Sequence, residues 1–238
     1  MSTFMLVHGS WHGGWCWKRV RHRLQEFGHH VYTPTLTGLA DRSHLLTRTV
    51  NLSTHIDDVA NLIRWEELSD VVLCGHSYAG MVITGVADRM PDRIRALVYL
   101  DAAVPESGES ALDLLPEPLH PSMIEPTMSL GEGWKTPPMP AAAFRVNGKD
   151  EDWVDRQCTW QPFACFQEHL QLSEGIRSVR NVTFILCAGW DGALHWAHER
   201  AQAKGWRTIT LSCGHEAMLD CPEDLTRELV VAGAARFT

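Results

Sequence analysis

The strongest constraint on the fold is an alternation of short β-rich runs with helical stretches. The six runs are TFMLV (3–7), VYTPT (31–35), VVLCG (71–75), ALVYLD (96–101), TFILCA (183–188) and TITLSC (208–213). Several of them are apolar on both faces, as expected of strands in a parallel sheet that helices cover on both sides. The alternation predicts a doubly wound α/β fold with a mostly parallel sheet of about six strands.

Apolar residues recur at helical spacing between these runs. Val20, Leu24 and Phe27 lie on one helix face, and Ser53 is the expected N-cap of a helix that continues through Ile63. The predicted helices cover about 20–27, 53–63, 77–90 and 222–236.

The interval between the fourth and fifth runs breaks this rhythm. Residues 105–140 contain eight of the twelve prolines, and the interval of roughly eighty residues is far longer than a single crossover. We therefore expect a cap inserted after the fourth strand at 104–180, over a core made of 1–103 and 181–238. The helices predicted within the cap lie near 109–115 and within 151–172.

The composition argues against several classes of function. The net charge is −8, whereas nucleic acid and anionic membrane surfaces attract basic stripes. No stretch approaches the ~20 apolar residues of a spanning helix, and the N-terminus has no basic region that would indicate a secretion signal. The seven scattered cysteines include no C-x-x-C pair, which argues against a zinc knuckle and favours a reducing, cytoplasmic location.

The third run leads directly into GHSYAGM, which places Ser77 between a buried strand and a helix. A nucleophilic serine on such a strained turn follows the pattern G-x-S-x-G. Here Gly75 is present, but Ala79 stands at the last position and Gly80 follows it. The extra methyl group is tolerable if that position avoids positive φ; the alternative is an ordinary turn serine.

A serine hydroxyl is a weak nucleophile and needs a base that a third group orients. His215, in CGHEAML after the sixth run, is the candidate base. Asp191, in AGWDG after the fifth run, is the favoured acid because the chain order serine, acid, histidine is expected. Asp101, at the end of the fourth run, is the alternative acid.

A tetrahedral intermediate also needs donors for its oxyanion. The backbone N–H of Tyr78, directly after Ser77, is one candidate. The backbone N–H of Ser10, in the loop HGSWHGGW after the first run, is the other.

Four stretches, VHGSWHGGWCW, GHSYAGMVI, AGWD and GHEAML, together resemble the α/β-hydrolase superfamily. Within it the chain is similar to the small esterase group of plant methylesterases, hydroxynitrile lyases and bacterial xenobiotic esterases. The loops at 36–45 and 101–110 resemble bacterial members, some of which open aromatic carbamate or pyrethroid esters. The resemblance covers essentially the whole chain and implies a triad of Ser77, Asp191 and His215, with Ser10 and Tyr78 as oxyanion donors.

The resemblance implies a cofactor-free serine hydrolase of the esterase type that acts on a small, apolar, aromatic carboxylic ester or carbamate. A C–C or C–N lyase, a cofactor-independent oxygenase and a small-molecule receptor with weak hydrolase activity are the alternatives. Hydroxynitrile lyases carry threonine where this chain has Gly9 and lysine where it has Glu216. A cyanide leaving group would meet a carboxylate here, which argues against the lyase.

Several side chains are candidates for the substrate pocket. The predicted pocket residues are Gly9, His12, Trp134, Trp153 and Trp160. The tryptophans at 11, 15 and 17 are predicted to belong to the core instead, and Met123, Met128 and Met139 to add an adaptable surface to the cap. His195, His198 and Glu199 are predicted as solvated helix residues, so no metal site is expected. The oligomeric state stays open, with a homodimer as one option.

Overall fold

The computed structural model describes residues 1–190 and 194–234, and its strands form two sheets. In chain order the strands are β1 (Thr3–Val7), β2 (His30–Tyr32), β3 (Val71–His76), β4 (Ile94–Leu100), β5 (Lys135–Thr136), β6 (Gln161–Pro162), β7 (Val182–Cys187) and β8 (Arg207–Leu211). Six of them form a parallel sheet in the order β2-β1-β3-β4-β7-β8, while β5 and β6 pair antiparallel. The predicted α/β fold with a parallel sheet is confirmed.

Helices fill the intervals between the strands. They are α1 (Lys18–Glu26), α2 (Leu52–Trp65), α3 (Ala79–Arg89), α4 (Ala111–Leu114), α5 (His120–Ser129), α6 (Glu151–Gln157), α7 (Ala164–Gln167), α8 (His195–Ala203), α9 (Ala217–Asp220) and α10 (Pro222–Ala234). Short 3-10 helices lie at Gly14–Trp17, Ala40–Leu45, Pro91–Arg93, Glu117–Leu119, Ala141–Phe144 and Gly175–Ser178. Within the described ranges no helix is both long and apolar enough to cross a membrane.

The carboxyl ends of the parallel strands meet at one edge of the sheet. The loop that begins at His8 follows β1, Ser77 follows β3, Asp101 follows β4, and the loop after β8 carries His215. Strand β3 is buried at every position and pairs with β1 on one side and β4 on the other. Ser77 therefore lies between the loops that follow β1 and β4.

Two elements end earlier than predicted. Strand β2 ends at Tyr32, before Pro34, whose nitrogen has no hydrogen to donate to a ladder. Helix α1 ends at Glu26, and Phe27, expected on its buried face, is 70% exposed. Gly28 turns the chain there with a φ of 78°, a conformation that glycine adopts at little cost.

Helix α2 is capped by Asn51, two residues before the predicted cap at Ser53. The Asn51 side chain accepts a hydrogen bond from the Thr54 N–H at 3.0 Å, and the Thr54 hydroxyl accepts from the Asn51 N–H to complete a capping box. Ser53 donates its own N–H to Glu168 at 2.9 Å, which ties α2 to the segment predicted as the cap.

Residues 104–180 carry α4 to α7 and the β5–β6 pair. Helix α5 was not among the predicted helices, because the segment contains Pro121 and Pro126, which usually interrupt a helix. Pro121 fits the first turn, where a backbone N–H has no acceptor within the helix. The two ends of the segment meet, since the Gly108 N–H donates to Leu170 O and the Leu170 N–H donates to Glu109 O. A cap at 104–180 stays a prediction, and these contacts agree with it.

The N-cap residue of helix α2, Asn51, leads to a prediction about stability. Asn51→Ala should lower the free energy of unfolding by about 0.5–2 kcal/mol, because it removes the acceptor of a helix N-terminal N–H. Chemical denaturation measures the change. Asn61→Ala, on the exposed part of the same helix, is the matched control and should leave the free energy of unfolding unchanged. Equal effects of the two substitutions would contradict the capping role.

Candidate active site

Ser77 forms the turn between β3 and α3, with its backbone in the left-handed region at a φ of 56°. This conformation is uncommon for a residue with a side chain, and it clusters at functional turns. The Ser77 N–H donates to Leu100 O at 3.2 Å, and Ser77 O accepts from the N–H groups of Gly80 and Ala103 at 3.1 and 3.0 Å. These contacts hold the geometry of a strained strand-to-helix turn.

The small residues around the turn have different reasons to be small. A Cβ atom at Gly75 would lie 2.7 Å from Ala79 O, and one at Gly80 would lie only 1.9 Å from Ala103 O. Ala79 is buried in the first turn of α3, where a methyl group fits. The glycine that the turn requires is therefore Gly80, and the alanine at 79 is compatible with it.

The imidazole of His215 is oriented by a carboxylate from the neighbouring strand. Its Nδ1 lies 2.6 Å from Oδ2 of Asp101, and both side chains are about 1% exposed. Because Asp101 occupies the Nδ1 side, any proton transfer by this imidazole would use Nε2. The Asp101 N–H donates to Ile185 O at 2.7 Å, so the carboxylate is attached to a fixed backbone.

Asp191, the favoured acid, lies outside the described residues. Among the described residues, the carboxylate at Nδ1 of His215 is that of the alternative acid, Asp101. The expectation for Asp191 came from chain order and from the family resemblance. The position of Asp101 at the end of a strand beside β3 was the signal that favoured it.

The loop after β1 is held by its first histidine. The Nδ1–H of His8 donates to Gly9 O at 2.8 Å, and Nε2 accepts from the Leu36 N–H at 3.0 Å. Burial lowers the pKa of His8 to about 3, so the ring is neutral with this tautomer. Since C=O and N–H point in opposite directions across a trans peptide, the contact at Gly9 O sets the direction of the Ser10 N–H.

Ser10, Ser77, Tyr78 and His215 line one cavity of about 460 Å³. Its aromatic walls are Trp11, Phe144, Phe166 and Trp190, and its aliphatic lining is Ala103, Ala111, Leu112, Leu114, Leu115, Pro116, Leu119, Met123, Met139 and Leu194, with Ser122 as a further polar residue. Among the described residues no carboxylate, lysine or arginine faces this space. The cavity therefore favours a neutral, apolar molecule.

Comparison with known proteins gives the family. A family model described as the alpha/beta hydrolase family matches residues 4–228. The chain is also 43% identical over 247 residues to a carbendazim hydrolyzing esterase of Nocardioides sp. (strain SG-4G), with 98% of this chain and 100% of that protein covered. The chain belongs to the α/β-hydrolase family.

Two solved structures show the same α/β-hydrolase fold. One is an extracellular alpha/beta-hydrolase from a Paenibacillus species, described as sharing structural and functional homology with tobacco salicylic acid binding protein 2. It matches with a TM-score of 0.85 at 25% identity over 99% of this chain and 100% of that one. A pyrethroid hydrolase from Sphingobium faniae JZ-2 matches with a TM-score of 0.79 at 21% identity over 98% of both chains. The predicted family, fold and esterase-type enzyme are thereby confirmed.

In this α/β-hydrolase the five predicted pocket residues lie outside the cavity lining. Gly9 lies behind Ser77, where a Cβ atom would be 3.0 Å from the serine Cβ. His12 faces Glu216. Trp153 packs edge-on against Trp15 with the ring centroids 4.9 Å apart.

The two remaining predicted pocket tryptophans, Trp134 and Trp160, lie next to cationic side chains. Trp134 lies beneath Arg48 at 5.1 Å and beside Lys135 at 5.3 Å. Lys135 also lies 5.1 Å from the Trp160 ring. The aromatic wall comes instead from Trp11 and Trp190 and from two phenylalanines, Phe144 and Phe166.

Among the described aromatic rings, that of Trp190 lies nearest to His215. Its ring centroid lies 4.1 Å from that of His215, and its Nε1–H donates to Ala143 O at 2.9 Å. Trp11, predicted as core, is held in the wall by Gln161, whose Oε1 accepts the Trp11 N–H at 2.8 Å. The predicted methionine surface is present in part, since Met123 and Met139 line the cavity whereas Met128 is 64% exposed.

Tyr78 is fixed from behind by a second buried histidine. The Nε2–H of His55 donates to Thr37 O at 3.0 Å, so Nδ1 accepts from the Tyr78 hydroxyl at 3.1 Å. Burial lowers the pKa of His55 to about 4, in agreement with a neutral ring. The Tyr78 hydroxyl is thus occupied by His55. The Tyr78 backbone N–H, at the N-terminus of α3, has no backbone acceptor among the described residues.

One group of side chains in the described ranges has the spacing of a metal site. Ligand atoms of His76, His215 and Glu216 lie within 4.8 Å of one another. The Nε2–H of His76 already donates to His215 O at 3.0 Å, and the Glu216 carboxylate faces His12. These contacts account for the cluster without a metal. His195 and His198 lie on α8, where His195 is exposed and His198 packs against Phe184.

Glu216 does not line the cavity. The expectation that a leaving group would meet its carboxylate is therefore wrong. The side chain is about 1% exposed and points to His12, whose Nε2 is 3.4 Å from Oε1.

The turn at Ser77 generates a paired prediction. Gly80→Ala should lower the free energy of unfolding by about 1–3 kcal/mol, because the new methyl group overlaps the Ala103 carbonyl. Ala79→Gly creates no overlap and should cost about 1 kcal/mol or less, the difference in helix propensity. Denaturation curves and activity toward an aryl ester measure both. An active and stable Gly80→Ala variant would contradict the close approach.

Proposed function

We propose that this enzyme is a cofactor-free serine hydrolase that opens a small, neutral, aromatic carboxylic ester or carbamate through an acyl-enzyme. The observation that carries the proposal is that Ser77 and His215 line the same apolar cavity. Ser77 has the backbone of a nucleophile turn, and His215 has a buried carboxylate on the nitrogen that faces away from the reaction. This is the arrangement that a serine needs in order to react.

Each step uses side chains or N–H groups of this chain. Ser77 Oγ attacks the carbonyl carbon while Nε2 of His215 takes the hydroxyl proton, and Asp101 stabilises the resulting imidazolium. The tetrahedral intermediate collapses, the leaving alcohol or amine receives that proton, and the acyl group stays on Ser77. Water, deprotonated by His215, then attacks the acyl-enzyme, and Ser77 regains its proton as the acid departs.

The backbone N–H groups of Ser10 and Tyr78 are the proposed oxyanion donors. Neither has a backbone acceptor in the part of the chain that the structure describes. Tyr78 precedes the first residue of α3, where the helix dipole favours negative charge. The contact of His8 with Gly9 O supports the same role for Ser10.

The cavity supports the substrate class. A volume of about 460 Å³ suits a small organic molecule, and the aromatic wall suits a ring. The Nocardioides relative bears the name of an esterase that hydrolyses carbendazim, an aromatic carbamate. An aromatic carbamate or ester is therefore the proposed substrate class here.

The mechanism is tested with a serine-directed phosphonate, mass spectrometry and Ser77→Ala. We expect the phosphonate to label Ser77 and to stop hydrolysis of aryl esters. Ser77→Ala should lower kcat by at least about 10³-fold. Labelling of a different residue, or turnover that survives Ser77→Ala, would favour lyase or oxygenase chemistry over an acyl-enzyme. Labelling without turnover of any ester or carbamate would favour a receptor.

The identity of the acid has its own prediction. Asp101→Asn should lower kcat by about 10³- to 10⁴-fold, because the amide no longer accepts the Nδ1 hydrogen in the correct tautomer. Asp191→Asn should change kcat by less than about 3-fold, since Asp101 already holds Nδ1. Steady-state kinetics on one aryl ester compares the two variants. The reverse ranking would return the acid to Asp191.

The charge of the substrate is the second test of the pocket. A neutral aryl ester should have a kcat/KM at least about 100-fold above that of an analogue of equal size with a carboxylate on the ring. The anion would lose its water without gaining a partner in this lining. Equal kcat/KM values for the pair would rule out the apolar cavity as the site of substrate binding.

A further inference from the structure

We infer that His12 and Glu216 form a buried positioning pair, which links the loop that carries the Ser10 N–H to the loop that carries His215. The inference rests on the proposed serine mechanism and adds two residues that neither touch the substrate nor belong to the triad. It assigns a role to the carboxylate directly after the base.

The pair connects two loops that are distant in sequence. Nδ1 of His12 lies 2.7 Å from Ser10 O, and Nε2 lies 3.4 Å from Oε1 of Glu216. Ser10 supplies a proposed oxyanion donor, and Glu216 is bonded to the backbone of His215. A movement of one loop is therefore transmitted to the other through a single imidazole ring.

The contacts of His12 determine its charge. Both ring nitrogens face acceptor oxygens, so both carry hydrogen and the ring is a cation. Burial opposes this charge, but Glu216, Cys158 and the Ser10 carbonyl together outweigh burial and raise the pKa of His12 to about 10. Burial also opposes ionisation of Glu216, yet His12, His76 and His215 together hold the pKa of that carboxyl below its ordinary value.

The pair has few other partners. Oε2 of Glu216 has no hydrogen-bond donor among the described residues, so His12 is the main compensation for this carboxylate. The His12 ring also stacks on Trp15, with the centroids 5.0 Å apart. A buried ion pair with so few additional contacts contributes little net stability, which favours a role in geometry.

Other titratable groups face the pair from the surrounding elements. They are His8, Cys16, His76, Cys158, His215 and Asp220. Burial lowers the pKa values of His8 and His76 to about 3, and burial raises that of Cys16 well above 9.0. Cys158 Sγ lies 3.8 Å from Nε2 of His12, and this contact helps to raise the pKa of His12. The pH measurements therefore use a Cys158→Ser background.

Glu216→Met and Glu216→Gln separate the contact from the charge. Both remove the carboxylate, but only glutamine can hydrogen-bond to His12. Glu216→Met should lower kcat toward an aryl ester by about 10- to 100-fold and leave KM within about 3-fold, as expected for a misplaced donor and base. Glu216→Gln should keep kcat within about 3-fold of the parent enzyme, because its amide donates to a neutral His12.

The pH dependence is a readout that simple destabilisation would not produce. In the Cys158→Ser parent, which lacks the part of the raised pKa that Cys158 contributes, His12 loses its proton at a pH below about 10; two acceptors then face each other, so kcat should fall there. In Glu216→Gln the amide still donates, so this fall should disappear. Glu26→Gln is the matched control: it alters an exposed pair on α1, where His22 Nε2 lies 3.3 Å from Glu26 Oε1, and should retain the parent profile.

The outcomes distinguish this inference from the proposed function. Circular dichroism at each pH identifies folded enzyme, and if Glu216→Met does not fold, the pH profile of Glu216→Gln decides. A parent-like kcat in folded Glu216→Met, or an unchanged alkaline fall in Glu216→Gln, would overturn the positioning pair. Failure of the phosphonate to label Ser77 in the parent enzyme would instead overturn the serine mechanism.

Discussion

The backbone contacts around Ser77 determine the arrangement of the rest of the site. Ser77 O accepts from the Ala103 N–H, and Gly80 lies directly against the Ala103 carbonyl. Ala103 is two residues beyond Asp101, so the turn at Ser77 and Asp101 belong to one hydrogen-bonded unit. A side chain at Gly80 would push the turn at Ser77 away from the segment that follows β4.

Burial gives the histidines around this unit different states. His8, His55 and His76 face carbonyls, N–H groups or a hydroxyl, and burial leaves them neutral. In the inferred positioning pair, Nε2 of His12 faces the Glu216 carboxylate, which supplies the partner that a buried charge needs. The neutral rings fix backbone groups, and the charged ring connects two loops.

Reactivity and selectivity come from different parts of the chain. The residues proposed for bond making lie at the carboxyl edge of the parallel sheet, where ligands bind in open α/β sheets. Most of the apolar cavity wall comes from 104–180 and from Trp190. Within 104–180, α4, the 3-10 helix at Ala141–Phe144 and α7 bring Leu112, Phe144 and Phe166 to the same cavity. Most of the cavity wall is therefore separate in sequence from the turn at Ser77.

The sequence by itself determined the features that depend on short stretches of chain. The alternation of apolar β-rich runs with helical stretches predicted the sheet. The residues GHSYAG predicted the turn at Ser77, because steric limits on φ and close backbone approach act over a few residues. The position of His215 after the last strand followed from chain order. Asn51, not Ser53, caps α2. Both residue types can accept the capping hydrogen bond, so the sequence does not choose between them, and the choice depends on where the helix begins in the folded chain.

Tertiary structure alone decided which distant side chains meet. Asp101 and His215 are 114 residues apart, and their contact depends on the placement of the β4 end near the loop after β8. The cap tryptophans are aromatic in sequence, yet Trp153 packs against Trp15 while Phe144 and Phe166 form the wall. Hydrophobicity specifies that such residues are covered but not by which neighbours. Glu216 illustrates the same limit, because its sequence position beside His215 did not reveal that its carboxylate turns away to His12.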